Sequence, residues 1–501
     1  STQPSPSTSS PVKSTPNAAK STPIAATKPM AAAISVLDFG AVGNGVTDDT
    51  AAINAAIGAA TVGSTVLIPH GRTYMVNADY SAGKSIRVRS GVNLRVDGTL
   101  QAIANSVANS AVIYSAGQSN YSISGNGVIS GERLTHVGST GEGGMCIRIV
   151  GGENISVSDL SLKNGFGDGL YVSILGSTAG TETKGLRVTN VRFSINRRNG
   201  CSVTGGIGLV FSGCSFENTN GTDPQAGIDL EPNGTNVVRA VVITGNVFLN
   251  YGVLTTAGSS DVTIIGNVIE GPHAVQAIRL AGTDTIVANN TIRGGAQGIY
   301  AGIAARSTVT GNRINGTTGQ GINASWSPDS TITGNAVTDT GQAGIYIRGS
   351  ANFTCTGNIV TRCGGSTDNG ITSTYATGAP NGNGVISNNV ITDAALHGIQ
   401  CSSPNTYVHG NIITGASKAA TGVSCGVYVT SATTTDCVVT GNTFRVGSAS
   451  QQIKHGVCVA ASVLRTVVLA NDFGPGAVVS LTIRDLGESS MLGTIFASEG
   501  V

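Results

Sequence analysis

From about residue 120 onward the chain is built of short stretches in which apolar and polar residues alternate, separated by Gly-Asn pairs. Ile-Thr-Gly-Asn-Val-Phe at 243–248 and Ile-Ile-Gly-Asn-Val-Ile at 264–269 set the pattern. Alternation with period two predicts β-strands with one buried face, and the Gly-Asn between them predicts a tight turn. The turn residue returns as Asn246, Asn267, Asn290, Asn312, Asn335, Asn358, Asn389, Asn411, Asn442 and Asn471, at intervals of 21 to 31 residues. A repeat of that length marks a solenoid, in which each unit buries its apolar face against the next. Asn126, Asp159, Asn190 and Cys214 are assigned the same place in earlier units, which makes 13 or 14 turns. At ~4.8 Å per strand the rod would be roughly 60 Å long. The asparagines are expected to point inward and bond to one another as an amide ladder.

A second strand of the form Gly-Ile-x-Ile follows each turn, as in Gly227-Ile-Asp-Leu and Gly344-Ile-Tyr-Ile. Its alternation sends the Ile positions inward and the residue between them outward. The outward column reads Tyr171, Ser202, Asp229, Leu254, Arg279, Tyr300, Asn323, Tyr346, Thr372, Gln400 and Tyr428. The residue before the glycine forms a neighbouring column that includes Asp168, Asn199, Ala226, His397 and His455, the two histidines being read as surface residues. Two stretches break the pattern. After the possible caps Thr47 and Asp48, Ile53, Ala56 and Ile57 recur at helical spacing, which predicts one helix capping the open end of the solenoid. Residues 1–33 are Ser, Thr, Pro, Ala and Lys with almost no large apolar side chain, the composition of a flexible arm.

Composition agrees with short strands and tight turns. Gly accounts for 71 of 501 residues, aromatics for 4% and charged residues for 11%. A net charge of +1, with no long Lys/Arg run, argues against nucleic acid as a partner. No stretch approaches the ~18 apolar residues of a membrane span, so no membrane insertion is expected. No export signal is visible at the start of the chain. The nine cysteines contain no Cys-x-x-Cys and read as mostly reduced, buried thiols, with a bridge between stacked coils left open.

The stretch Asp38-Phe-Gly-Ala-Val-Gly-Asn-Gly-Val-Thr-Asp-Asp-Thr-Ala-Ala-Ile, followed by Ile68-Pro-His-Gly-Arg-Thr-Tyr, resembles the opening of the pectate-lyase-like superfamily of right-handed parallel β-helices. That superfamily holds polysaccharide lyases, glycoside hydrolases, epimerases and bacteriophage tailspikes. The resemblance implies an all-β chain forming a single-stranded right-handed parallel β-helix. Its parts would be an arm at 1–33, the helix with its N-terminal cap at 34–476, and a C-terminal cap or tail at 477–501.

Charged residues are scarce, yet they gather between 164 and 233. Asp168, Asn199 and Asp229 fall on three consecutive coils, within about 10 Å along the axis. Asp229 and Glu231, two apart on one strand, face the same side at ~7 Å. Asp168, Asp229, Glu231 and Arg198 are therefore the candidate catalytic residues. Tyr171, Arg197, Asn199, Asp223, Arg279, Tyr300 and Tyr346 are candidates for binding substrate, and no metal ligand is assigned. Two carboxylates suit glycoside hydrolysis, at ~5 Å for retention or ~6.5–9.5 Å for inversion. Arg and Asp equally suit a lyase or epimerase acting on uronic acids. Gly167-Asp168-Gly169 resembles part of the polygalacturonase pattern, but the adjacent Asp pair and the His-Gly of that pattern have no clear match here.

The arm running into the family opening, the absent export signal and the unpaired cysteines together lead to the expectation of a tailspike-type protein. It would bind and cleave a bacterial surface polysaccharide, dock on a phage tail or baseplate protein through residues 1–33, and assemble as a homotrimer in the virion. A secreted lyase or epimerase acting on uronic-acid polymers and a non-catalytic glycan-binding adhesin are the alternatives. A hydrolase requires no cofactor; a lyase would bring in calcium.

Overall fold

The computed structural model describes residues 33–486 and 491–492, apart from 139–140, 179, 250–251, 272–274, 366–367, 380, 417–423, 448–452 and 476. The proposed arm, Ala33 excepted, therefore lies outside the described residues. Each turn of the chain lays down three short strands, and each strand pairs in parallel with its equivalents in the turns before and after. One such turn runs through Val238–Thr244, Val247–Leu249 and Val253–Thr255. We call the three resulting faces sheets I, II and III, in that order; they contain 18, 17 and 16 strands among the described residues. Sheet III continues into Val478–Asp485, which pairs with Ile453–Val459.

Alternation along the strands puts one continuous apolar column inside each sheet. Ile243, Phe248 and Val253, one from each sheet of the same turn, are all fully buried. Phe193, Phe216 and Phe248 stack inside sheet II with ring centroids 4.6 and 4.7 Å apart and nearly parallel planes. A Cβ placed at Gly169, Gly200 or Gly227 would run into one of these rings. The glycine that opens these three strands of sheet III is thus needed because the backbone crosses an aromatic face there. Phe216→Ala is expected to cost ~3–5 kcal/mol, through lost burial and a cavity under two neighbouring rings. A chemical-denaturation midpoint unchanged from the parent would refute this account of the stack.

The asparagine ladder forms from Asn246 to Asn471. Each Nδ2 donates to the Oδ1 of the asparagine one coil on, at 2.9–3.0 Å, and the same Oδ1 accepts the backbone N–H of the previous asparagine. The earlier assignments need correcting. Asn126, Asp159 and Asn190 align with Gly245, not with Asn246: Asn190 has φ 52° and Gly245 φ 65°, and Arg192, Ser215 and Val247 pair in register. The left-handed turn position accepts Asn or Asp as well as Gly, so Asp159 and Asn190 mark that position in their coils. The inward place there belongs to buried Leu160, Val191 and Cys214. Cys214 starts the ladder, its N–H donating to Asn246 Oδ1 at 2.8 Å.

The helix forms at Thr50–Ala59 with Ile53, Ala56 and Ile57 buried. Asp48 Oδ1 accepts the Thr50 N–H at 3.0 Å. Cysteines 425 and 458, on paired strands of sheet III, form a disulfide with Cα atoms 6.0 Å apart. The other seven are free and buried.

Candidate functional site

The outward column of sheet III has the expected register and extends beyond it. Strand pairing runs Arg87, Tyr114, Arg148, Tyr171, Ser202, Asp229, Leu254, Arg279 and Tyr300 in line, then Asn323 and Tyr346. Asp168, Asn199 and Ala226 stack beside it, with Gly169 N–H donating to Asn199 O at 3.1 Å and Gly200 N–H to Ala226 O at 2.9 Å. The two columns meet at Asp168, Asn199, Ser202 and Asp229.

There the outer face is not open. Ser202 and Asp229, expected to be exposed, are 0% and 1% exposed, and Asp168 is 0%. Arg198 lies over them. Its guanidinium donates to Ser202 Oγ at 3.1 Å and to Glu231 at 3.3 Å, and lies 3.3 Å from Glu142 and 3.7 Å from Asp168. Asn199 ties the floor together: its Nδ2 donates to Ser202 Oγ at 2.9 Å and to Asp229 at 3.4 Å, while its N–H donates to Asp168 at 3.0 Å. Its Oδ1 accepts the Ala226 N–H at 2.8 Å. The side chains of Glu231 and Glu142 are 39% and 67% exposed, so they are the carboxylates that meet solvent.

Burial sets the charge states. It pushes the Asp168 carboxyl up to about 6 against the pull of Arg198, and the Asp229 carboxyl up to about 7, with the Glu231 carboxylate adding to the rise. For Arg198 burial acts the other way, but Asp168, Glu142, Asp229 and Glu231 together outweigh it and hold the guanidinium above its usual value. Since the folded pKa of Asp229 lies above its ordinary 3.8, the native state binds the extra proton and loses stability as pH rises from about 4 to 7. Asp229→Asn is therefore expected to flatten the fall in Tm between pH 5 and 8. A parallel fall in both proteins would contradict the assignment.

The remaining candidates are dispersed. Arg197 stacks over Phe166 at 3.8 Å and donates to Phe166 O, Gly141 O and Thr222 Oγ1. It clamps the loop that carries Glu142. Asp223 is exposed on the loop ahead of Asp229 and accepts from Gln225 at 2.8 Å. Arg279, Tyr300 and Tyr346 lie along the column two, three and five coils beyond Asp229, roughly 10, 14 and 24 Å away. His397 and His455 are buried, both 4% exposed, and not surface residues as expected. His397 Nδ1 accepts the Cys425 N–H at 3.0 Å, and burial lowers its pKa to about 4. The bland small-residue context of these histidines gave no sign of the covering chain.

Sequence reasoning missed Glu142, Arg148, Tyr80 and Tyr114. Glu142 sits in a glycine-rich loop without periodicity, and nothing but the fold brings it to Arg198. Arg148 and Tyr114 were within reach, because Ile147-Arg-Ile and Val112-Ile-Tyr carry the strand alternation without the glycine header.

Among the described residues no three His, Cys, Asp or Glu side chains are placed together to hold a metal ion.

The family described as "Right handed beta helix region" matches residues 252–413. A tailspike protein mutant of E. coli bacteriophage HK620, solved in complex with hexasaccharide, aligns over 92% of this chain and 80% of its own, at 14% identity and TM-score 0.52. The chain has the right-handed parallel β-helix fold. The mannuronan C-5 epimerase AlgE6 A-module of Azotobacter vinelandii aligns over 80% of this chain and 98% of its own, at 18% identity and TM-score 0.45. The uncharacterized protein YclG of Bacillus subtilis (strain 168) is 31% identical over 329 residues, covering 53% of this chain and 56% of that protein. The chain thus spans little more than half the length of that curated relative.

Proposed function

We propose that this β-helix binds a bacterial surface polysaccharide along the outer face of sheet III and hydrolyses it at the Arg198 cluster, as a tailspike-type depolymerase does. The observation that carries this reading is the buried Asp229, its carboxyl pushed up by burial, two residues from the solvent-facing Glu231 in a column that includes tyrosines and arginines. Burial and the neighbouring Glu231 carboxylate hold a proton on Asp229 towards neutral pH. That proton passes by way of Glu231, which faces solvent, to the departing glycosidic oxygen. Glu142, across the guanidinium, takes the proton of the attacking water. Arg198 and Asp168 hold the two outer carboxylates apart and in place. Support also comes from the HK620 tailspike mutant of the same fold, which binds a hexasaccharide.

The protein is further proposed to act outside the cell as a homotrimer on a phage tail, docked through residues 1–33; light scattering tests the trimer. The enzyme test is a panel of bacterial capsular polysaccharides and plant uronans, read both for new reducing ends and for ultraviolet absorbance. Reducing ends without absorbance support hydrolysis. Absorbance from unsaturated products would replace it with the lyase reading, and binding without any product with the adhesin reading.

A further inference from the structure

Two coils before Ser202 the outer face of sheet III opens into a cavity of about 610 Å³. Tyr80, Tyr114, Arg148 and Tyr171 line one side, and the turn Asn233–Asn236 lines the other. The rings of Tyr80 and Tyr114 stack at 4.6 Å. The Arg148 guanidinium lies 4.3 Å from the Tyr171 ring centroid and 5.3 Å from that of Tyr80. Tyr171 is fixed in turn by a 2.9 Å hydrogen bond between its hydroxyl and Thr204 Oγ1.

What sets Arg148 apart is that its guanidinium has neither an ion pair nor a hydrogen bond among the described residues. The other arginines of this region are engaged: Arg198 by three carboxylates, Arg197 by two carbonyls and a hydroxyl, Arg133 by the Ile195 and Asn196 carbonyls and Asn220. Arg148 has no ion pair among the described residues, its buried Nε has no hydrogen-bond partner, and no Asp or Glu lines the cavity. An arginine held between aromatic rings with its donors unused is preorganised for a planar, two-oxygen anion. The flanking tyrosine faces suit sugar rings, and the Asn233 and Asn236 amides suit hydroxyls.

We infer that this cavity is a subsite for an acidic sugar, with the carboxylate of a uronic acid or similar residue bound by Arg148 and its ring on the tyrosines. The subsite lies three coils, roughly 14 Å, from Asp229 along the same groove. It deepens the proposed polysaccharide specificity and rests on that reading for its biological meaning. Its own test needs binding alone, so a failure of catalysis leaves it standing and a failure of binding does not touch the roles of Glu231 and Glu142.

The experiment is calorimetric titration of the full chain carrying Glu231→Gln with matched oligosaccharides that are neutral, carboxylated or sulfated. Carboxylated oligosaccharides are expected to bind best, with affinity falling as salt rises. In the same background Arg148→Gln is expected to lose at least about tenfold of that affinity and to bind neutral oligosaccharides as before, while Arg148→Lys loses part of it. Equal binding of neutral and acidic sugars by the parent, a preference for sulfate, or an Arg148→Gln protein with undiminished affinity overturns the assignment. The first two outcomes need no variant at Arg148 and so hold even if that variant fails to fold.

Discussion

Glu231→Gln is expected to lower polysaccharide cleavage by about 10²–10⁴-fold while leaving substrate binding within a few-fold of the parent. Glutamine preserves the shape and a hydrogen-bonding oxygen for Arg198 but neither holds nor passes a proton. Asp229→Asn is expected to cut cleavage to a similar degree for a different reason: the proton that burial keeps on Asp229 at pH 7 is no longer available to Glu231. The two losses should not add, because both residues serve one proton transfer. The pH profile provides a sharper check. Catalysis needs the proton on Asp229, which gives it up as pH rises through about 7. The parent's kcat/KM should therefore fall on the alkaline side with an apparent pKa near 7. A Glu231→Gln protein that cleaves at parental rate, or an alkaline limb several units higher, would remove Asp229 and Glu231 from the chemistry. Glu142→Gln provides the matching test of the second carboxylate.

The second large effect concerns the scaffold. Asn335→Ala is expected to cost on the order of 3–6 kcal/mol, since unsatisfied buried groups cost ~1–3 kcal/mol each. Asn335 Oδ1 accepts both the Asn312 N–H and its side-chain amide, and its Nδ2 donates to Asn358 and to the Val309 and Thr333 carbonyls. Alanine strands these groups in the buried interior, where Asn312, Asn335 and Asn358 are at most 1% exposed. Urea denaturation measures the total, and hydrogen exchange at the Asn312 amide locates it. A loss below about 1 kcal/mol would mean that the ladder relaxes around the gap, and that its role in stability is smaller than its geometry suggests.

The scaffold was largely legible in the sequence because it repeats. Ten asparagines at similar intervals fix one register, and strand alternation then assigns inside and outside without reference to the rest of the fold. The same periodicity misled where composition changed: in the early coils the conspicuous Asn or Asp sits one place earlier, at the left-handed turn, and Leu160 or Val191 fills the core. The site was legible only as far as the strands carry it. Asp229 and Tyr171 follow from the column, and Asp168 and Asn199 from the position before the glycine. Their burial did not follow, because Arg198 and Glu142 come from irregular segments whose path no periodicity predicts. Arg197 illustrates the converse: its place in a charged cluster suggested contact with substrate, whereas its donors are used up by loop carbonyls and Thr222.

The ladder begins at Asn246, just after the last residue of the charged cluster, Glu231, and every coil beyond it is joined to the next by the same amide contact. Coil number in that part of the rod is therefore an adjustable quantity. A repeat such as the 23 residues between Asn312 and Asn335 could be gained or lost by recombination between neighbouring copies, and the join would restore identical bonds. Reach can then change in steps of one strand spacing while the chemistry at the other end is inherited intact, so the length of the molecule and the specificity of its site are free to evolve separately.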